Sequence, residues 1–121
     1  MEKREERGFD YERLFVYRLA REVLRRLCRW TARPPRKAAG LADHLDRALD
    51  SVLLNIAEGS GKEPGSADRS RFYRIALGSA KEAASALEVL AIRGLVAPEV
   101  ASAAREDLIS VAAMLHKMAE R

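Results

Sequence analysis

The 121-residue chain lacks most of the devices that hold unusual folds together. A single cysteine, Cys28, excludes an intramolecular disulfide and a cysteine-based zinc cluster. Four prolines and seven glycines are too few for a loop-built or all-β fold. No apolar run approaches the roughly 18 residues that a membrane span needs. Residues 1–9, MEKREERGF, are charged where a secretory signal would be apolar. These absences predict a soluble, cytoplasmic protein in a reducing compartment, with no membrane partner. What is present is a 48% hydrophobic content, too high for intrinsic disorder, in a length that suits one domain.

Charge is unevenly placed. Residues 1–37 hold 12 Lys and Arg against 6 Asp and Glu, whereas residues 38–121 hold 10 against 12, so the formal +4 resolves into +6 and −2. Of the 22 basic residues 17 are arginine, whose planar fork suits phosphate better than the lysine point charge. A GC-rich genome would encode the same arginine excess.

Punctuation divides the chain into four helical segments, expected over about 10–31, 38–58, 67–93 and 98–120. Arg33-Pro34-Pro35 stops the first, and Gly59-Ser60-Gly61 caps the second. Ser66 is placed as N-cap of the third, which ends at Gly94, and Pro98 opens the fourth. All four are rich in Ala, Leu, Arg and Glu without strand alternation. Four helices with short loops predict an all-α, antiparallel up-down four-helix bundle.

Helical periodicity assigns the faces. In the first segment Val16, Leu19, Ala20, Val23, Leu24, Leu27 and Trp30 share an apolar side. Arg18, Arg21, Arg25, Arg29 and Arg33 lie opposite, with Arg26 at the margin and Glu22 among them. Leu14 and Phe15 fall on the arginine side. The fourth segment has one stripe, Val100, Ala101, Ala104, Leu108, Val111, Ala112, Leu115 and Met118. The third has two: Phe72, Tyr73, Ala76, Ala80, Ala83, Leu87, Leu90 and Ala91 on one side, and Ile75, Gly78, Ala86, Val89 and Ile92 on the other. A monomeric bundle offers one burial direction, so the second stripe predicts a subunit interface. Gly78 costs roughly 1 kcal/mol relative to alanine in mid-helix, a cost that close backbone approach would offset.

No catalytic constellation emerges. In the second segment His44, Arg47, Ser51, Asn55 and Glu58 line up beside the core stripe of Leu41, Leu45, Leu49, Val52 and Ile56. Ser51 and His44 are seven residues apart, roughly 10 Å along the axis, too far for nucleophile and base. Polar packing is the expectation, with Arg47 reaching Glu82 and Glu58 reaching Arg71 or Arg74. His44 and His116 have no second metal ligand at suitable spacing. Cys28 sits beside the core face as a small hydrophobe. Gly59-x-Gly61-Lys62 follows a helix and lacks Walker spacing, so it reads as a cap and turn. Neither an enzyme, a cofactor nor a metal is expected.

The arginine row has the functional surplus. Arg18, Arg25 and Arg29 nearly eclipse one another, with Arg21 and Arg33 alongside, over more than about 20 Å. Arg36 and Lys37 extend the row into the loop. Such a stripe is the footprint of phosphate-backbone binding to RNA or DNA, salt-dependent and without base-specific reading. A solvated face, or one that meets an acidic protein partner, is the competing interpretation.

The second hairpin carries a signature. Ser51, Asn55-Ile56-Ala57-Glu58-Gly59, Gly61-Lys62 and then Ala76-x-Gly78-Ser79-x-x-Glu82 resemble the bacterial four-helix bundle proteins first known from intervening sequences of large-subunit ribosomal RNA genes. That family includes the accessory variability determinant proteins of diversity-generating retroelements. The resemblance spans about Leu14 to Met118. It implies a homopentameric ring without known catalytic activity and, in the retroelement branch, nucleic acid and a reverse transcriptase as partners. Ser51, Asn55, Glu58, Gly59, Gly78, Ser79 and Glu82 are then structural positions, as Arg47 is by its expected pairing.

Overall fold

Proline and glycine set the helix boundaries in the computed structural model, which describes residues 7–121. Residues 1–6 of the charged opening segment lie outside the described residues. Helix α1 spans Phe15–Ala32, α2 Ala39–Ser60, α3 Ala67–Ile92 and α4 Pro98–Ala119. Turns of 3-10 helix at Asp10–Arg13 and Arg36–Ala38 precede the first two. With no strand among the described residues, the protein is a four-helix bundle.

The local signals act as their chemistry dictates. Ser66 caps α3, its Oγ accepting from the Arg69 N–H at 3.0 Å, and Pro98 opens α4. At the end of α3, Gly94 takes a left-handed φ of +71°, which lets the Leu95 N–H turn back to the Leu90 carbonyl at 2.9 Å. Two boundaries differ from the periodicity. The first helix does not run from residue 10: Leu14 is extended, φ −70° and ψ 129°, and packs its side chain against the core beside Met118. Helix α2 continues through Gly59 to Ser60 rather than ending at Glu58.

Gly59 stays in the helix because of its neighbour. A Cβ there would lie 2.8 Å from Cε1 of Tyr73 and 3.2 Å from Cβ of Phe72, so only glycine lets α3 come this close. The same seam is lined by small buried residues, Ala48 on α2 and Ala76, Ser79, Ala80 and Ala83 on α3. Leu45, Leu49, Val52 and Ile56 of α2 meet Leu87 and Leu90 of α3 in the core, with Leu108, Val111 and Leu115 of α4. Helix α1 contributes Val16, Ala20, Val23 and Leu27.

Helix α3 packs along both α2 and α4, while α1 touches α2 and α4 more lightly. This overturns the premise that a monomer buries α3 on one side only. Ala86, expected at a subunit interface, is 4% exposed and already covered within the chain. Val100, expected in the α4 core stripe, is exposed near the helix start.

Two glycines separate these effects. Gly59→Ala should destabilise the protein by about 1–3 kcal/mol through overpacking against Tyr73. Gly78→Ala, whose Cβ meets nothing within 4 Å, should be neutral or stabilising by up to about 1 kcal/mol. Chemical denaturation midpoints of the two variants check the contrast.

Candidate functional site

Because α1 is the least embedded helix, its arginine side faces solvent, and the eight basic residues there have separate fates. Arg18 donates its Nε to the Glu12 carbonyl at 3.0 Å. Arg21 is half-buried, its guanidinium 5.8 Å from the Tyr17 ring centre. Arg25 pairs with Glu22 at 3.6 Å, one turn back. Arg26 turns to α4 and binds Asp107, which removes it from the row. Arg29, Arg33, Arg36 and Lys37 are exposed and make no ion pair among the described residues. Four free cations therefore follow one another across the end of α1 and the turn into α2.

The row has an acidic border. On α2, Asp46 accepts from the Thr31 hydroxyl at 3.1 Å, which places it beside the end of α1, and Asp50 lies one turn on. An aromatic series runs from just before α1 into its first turn. Phe9 stacks on Tyr11, with centroids 5.8 Å apart and planes at 7°, and Tyr11 meets Tyr17 edge-on at 4.9 Å. Burial, then the neighbouring Tyr11, pushes the Tyr17 phenol above its ordinary value, so it stays neutral beside Arg21.

The polar row of α2 is a packing device. Ser51 Oγ and the buried Ser79 Oγ lie 2.7 Å apart across the α2–α3 seam. Asn55 Nδ2 donates to the Ser51 carbonyl at 2.8 Å and to its hydroxyl at 3.1 Å. The expected ion pairs are not those formed. Glu82 meets His44 at 3.5 Å, and Arg47 turns instead to Asp43 at 3.1 Å, one turn away on its own helix. Glu58 pairs with Lys62 at 3.3 Å, whereas Arg71 binds Asp68 and covers Phe72. Nearby partners on the same helix or in the turn win because less side-chain freedom is lost in reaching them.

The seam is built by residues that carry the resemblance, Ser51, Asn55, Gly59 and Ser79. A family model described as 23S rRNA-intervening sequence protein matches residues 12–117. The chain belongs to the 23S rRNA-intervening sequence protein family. Comparison with curated proteins finds no match.

In this family member the α2–α3 seam holds Ser51, Asn55, Gly59 and Ser79, while Glu58 and Glu82, with Arg47, lie at its exposed edges. Of the α3 residues placed at an interface, Ile75 and Gly78 are exposed, Val89 is half-buried and Ile92 is 77% exposed. Val89 lines a cleft of about 550 Å³ between the start of α2 and the end of α3, with Lys37, Leu41, His44 and Glu82. Cys28 is exposed, and His116 pairs with Glu120 at the surface. Among the described residues no group of three His, Cys, Asp or Glu side chains could hold a metal ion. None of the four helices is long and apolar enough to cross a membrane.

Periodicity misses the fasteners of the turn. Arg69 donates to the Ser60 carbonyl at 2.8 Å and the Lys62 carbonyl at 3.1 Å, closing α2 onto α3. Ser70 donates to the Ala119 carbonyl at 2.6 Å and ties α3 to the end of α4. An arginine in the first turn of a helix, where acids are favoured, is the one sequence signal for Arg69.

The acidic border also carries a stability cost. Burial, with Asp46 second, raises the Asp50 carboxyl above the ordinary carboxylate value. Its ionised form is the disfavoured one, so the penalty is complete above the folded value and vanishes as pH falls below the unfolded one. Asp50→Asn should raise the melting temperature at neutral pH and leave it unchanged in acid below the carboxylate range.

Proposed function

We propose that this protein is a non-enzymatic, oligomeric, cytoplasmic scaffold that holds RNA or DNA by its phosphates on the outer face of α1. The observation that carries this reading is the unbroken set of exposed cations, Arg29, Arg33, Arg36 and Lys37, continued toward the other end of α1 by Arg25 and Arg18. Arginine forks arrayed along a helix suit a phosphate backbone and carry no base selectivity of their own. Within the family, the positive bias of residues 1–37 favours the retroelement branch, and with it a role accessory to a reverse transcriptase.

The bundle is proposed to be antiparallel and up-down. Cross-helix pairs support this, since residue numbers fall along α2 as they rise along α3: Gly59 beside Tyr73, Ser51 beside Ser79, His44 beside Glu82. A homopentameric ring is the assembly that the family resemblance implies. Exposed Ile75 and Ile92 on α3 support α3 as the subunit contact.

Two experiments test the reading. In filter binding across a salt series, the wild type should retain nucleic acid at low salt. The triple variant Arg25→Glu, Arg29→Glu, Arg33→Glu should lose retention while keeping its helicity. Three lost phosphate contacts should lower the log–log salt slope by about 2. Unchanged retention removes this face from binding, and failure of the wild type to bind assigns the face to an acidic protein partner. In sedimentation the protein should run well above its 13.5 kDa monomer mass, and Ile92→Glu should shift it toward monomer without loss of helix. An unshifted Ile92→Glu variant would rule out that part of α3 as a contact.

A further inference from the structure

Phosphate binding leaves one feature of the same region unused. Phe9, Tyr11, Phe15 and Tyr17 are four of the six Phe and Tyr residues of the chain, and Arg13, Arg18 and Arg21 lie among and just after them. A core would take these rings inside. Here Phe9 is 70% exposed and stacks parallel to Tyr11, while the exposed Phe15 lies apart from that stack, beside Met114 and Lys117 of α4.

The exposed ring is held in place. The Phe9 N–H donates to Glu12 Oε2 at 3.3 Å, and the Glu12 N–H donates back to the Phe9 carbonyl at 3.1 Å. Arg18, first of the arginine row, fastens the same turn through the Glu12 carbonyl. Tyr11 rests in turn on Tyr17, which Arg21 covers. The aromatic ledge and the cationic row are thus one connected surface, ordered before any ligand arrives. Pre-ordering of this kind reduces the entropy cost of binding.

We infer that the ligand of this surface is single-stranded nucleic acid, with an unpaired base stacked on the free face of Phe9 while the row takes the phosphates. The inference rests on the phosphate-binding reading and narrows it to one class of strand. A duplex keeps its base faces inside its own stack, so only an unpaired strand can present a π-face to Phe9. Asp46 and Asp50 repel phosphate along the α2 border and confine the strand to α1. Every base has a π-face, so the ledge adds strand selectivity without sequence selectivity.

The test is fluorescence anisotropy with four probes: a labelled mixed-sequence RNA, the DNA of the same sequence, and each annealed to its complement. The wild type should bind a single strand more tightly than its duplex, and the RNA and DNA arms show which sugar is preferred. Phe9→Ala should weaken single-strand binding by about tenfold and leave duplex binding unchanged. Phe9→Trp should keep the affinity, and its added indole fluorescence should be quenched by the single strand. Phe9 is exposed and outside the helices, so an unchanged melting temperature establishes that each variant is folded. Equal affinity for strand and duplex, or a Phe9→Ala variant unaltered on all probes, overturns the ledge and leaves the phosphate reading standing. Absence of wild-type binding to every probe at low salt overturns the phosphate reading itself.

Discussion

The close approach of α3 to α2 at Gly59 is the constraint on which the rest of the bundle depends. Tyr73 fills the place that a Cβ at residue 59 would take, and the helices stay close along Ala48, Ser51, Ala76, Ser79 and Ala83. A seam of small side chains gives up hydrophobic area per residue and gains backbone proximity, which puts the Ser51 and Ser79 hydroxyls in hydrogen-bonding contact inside it. Arg69 then closes the turn by donating to the carbonyls of Ser60, the last residue of α2, and of Lys62 just beyond it. The large apolar residues of α4 and α1 pack onto this fixed pair.

That hierarchy explains how α1 can be so basic. Its buried side supplies Val16, Ala20, Val23 and Leu27, and its edges are fastened by Arg26 to Asp107 on one flank and by Thr31 to Asp46 on the other. Both fasteners are polar and partly exposed, worth little energy each but enough to fix the rotation of the helix. The helical period puts Arg18, Arg25 and Arg29 in one row, and the helix's rotation in the bundle points that row at solvent. Like charges repel along the row, and Glu22 is the one acid within α1 that relieves them. A face with this much uncompensated charge opposes the folded state and is understandable where a polyanion neutralises it.

Much of this was legible in the sequence, for reasons that are local. Ser66, Gly94 and Pro98 act within one helical turn, so their positions mark boundaries directly. The seam residues were marked by the family signature, and the arginine row by helical period alone. What could not be read depends on distance in space. Arg47 pairs with Asp43 on its own helix, and Glu82 meets His44 instead, a choice between cross-helix and same-helix partners that spacing does not decide. Ala86 looked free because a helix wheel does not show that α3 sits between two neighbours. The break at Leu14 has no such mark: its backbone is extended and its side chain packs against the core, although helical period places it on the arginine side.

The bundle geometry also relates assembly to binding. Helices α1 and α3 each lie against α2 and α4 and occupy opposite corners, so a subunit contact made by the outer side of α3 leaves the arginine side of α1 uncovered. On the proposed assembly the basic row is therefore repeated around the outside of the oligomer instead of being consumed by it. A strand that leaves one row can meet the next at high effective concentration, and weak, unselective phosphate contacts become strong retention without any new contact type. The small size of the domain then ceases to be a handicap. On that proposal each added copy at fixed spacing brings further phosphate contacts beyond those that one helix face of a 121-residue chain can make.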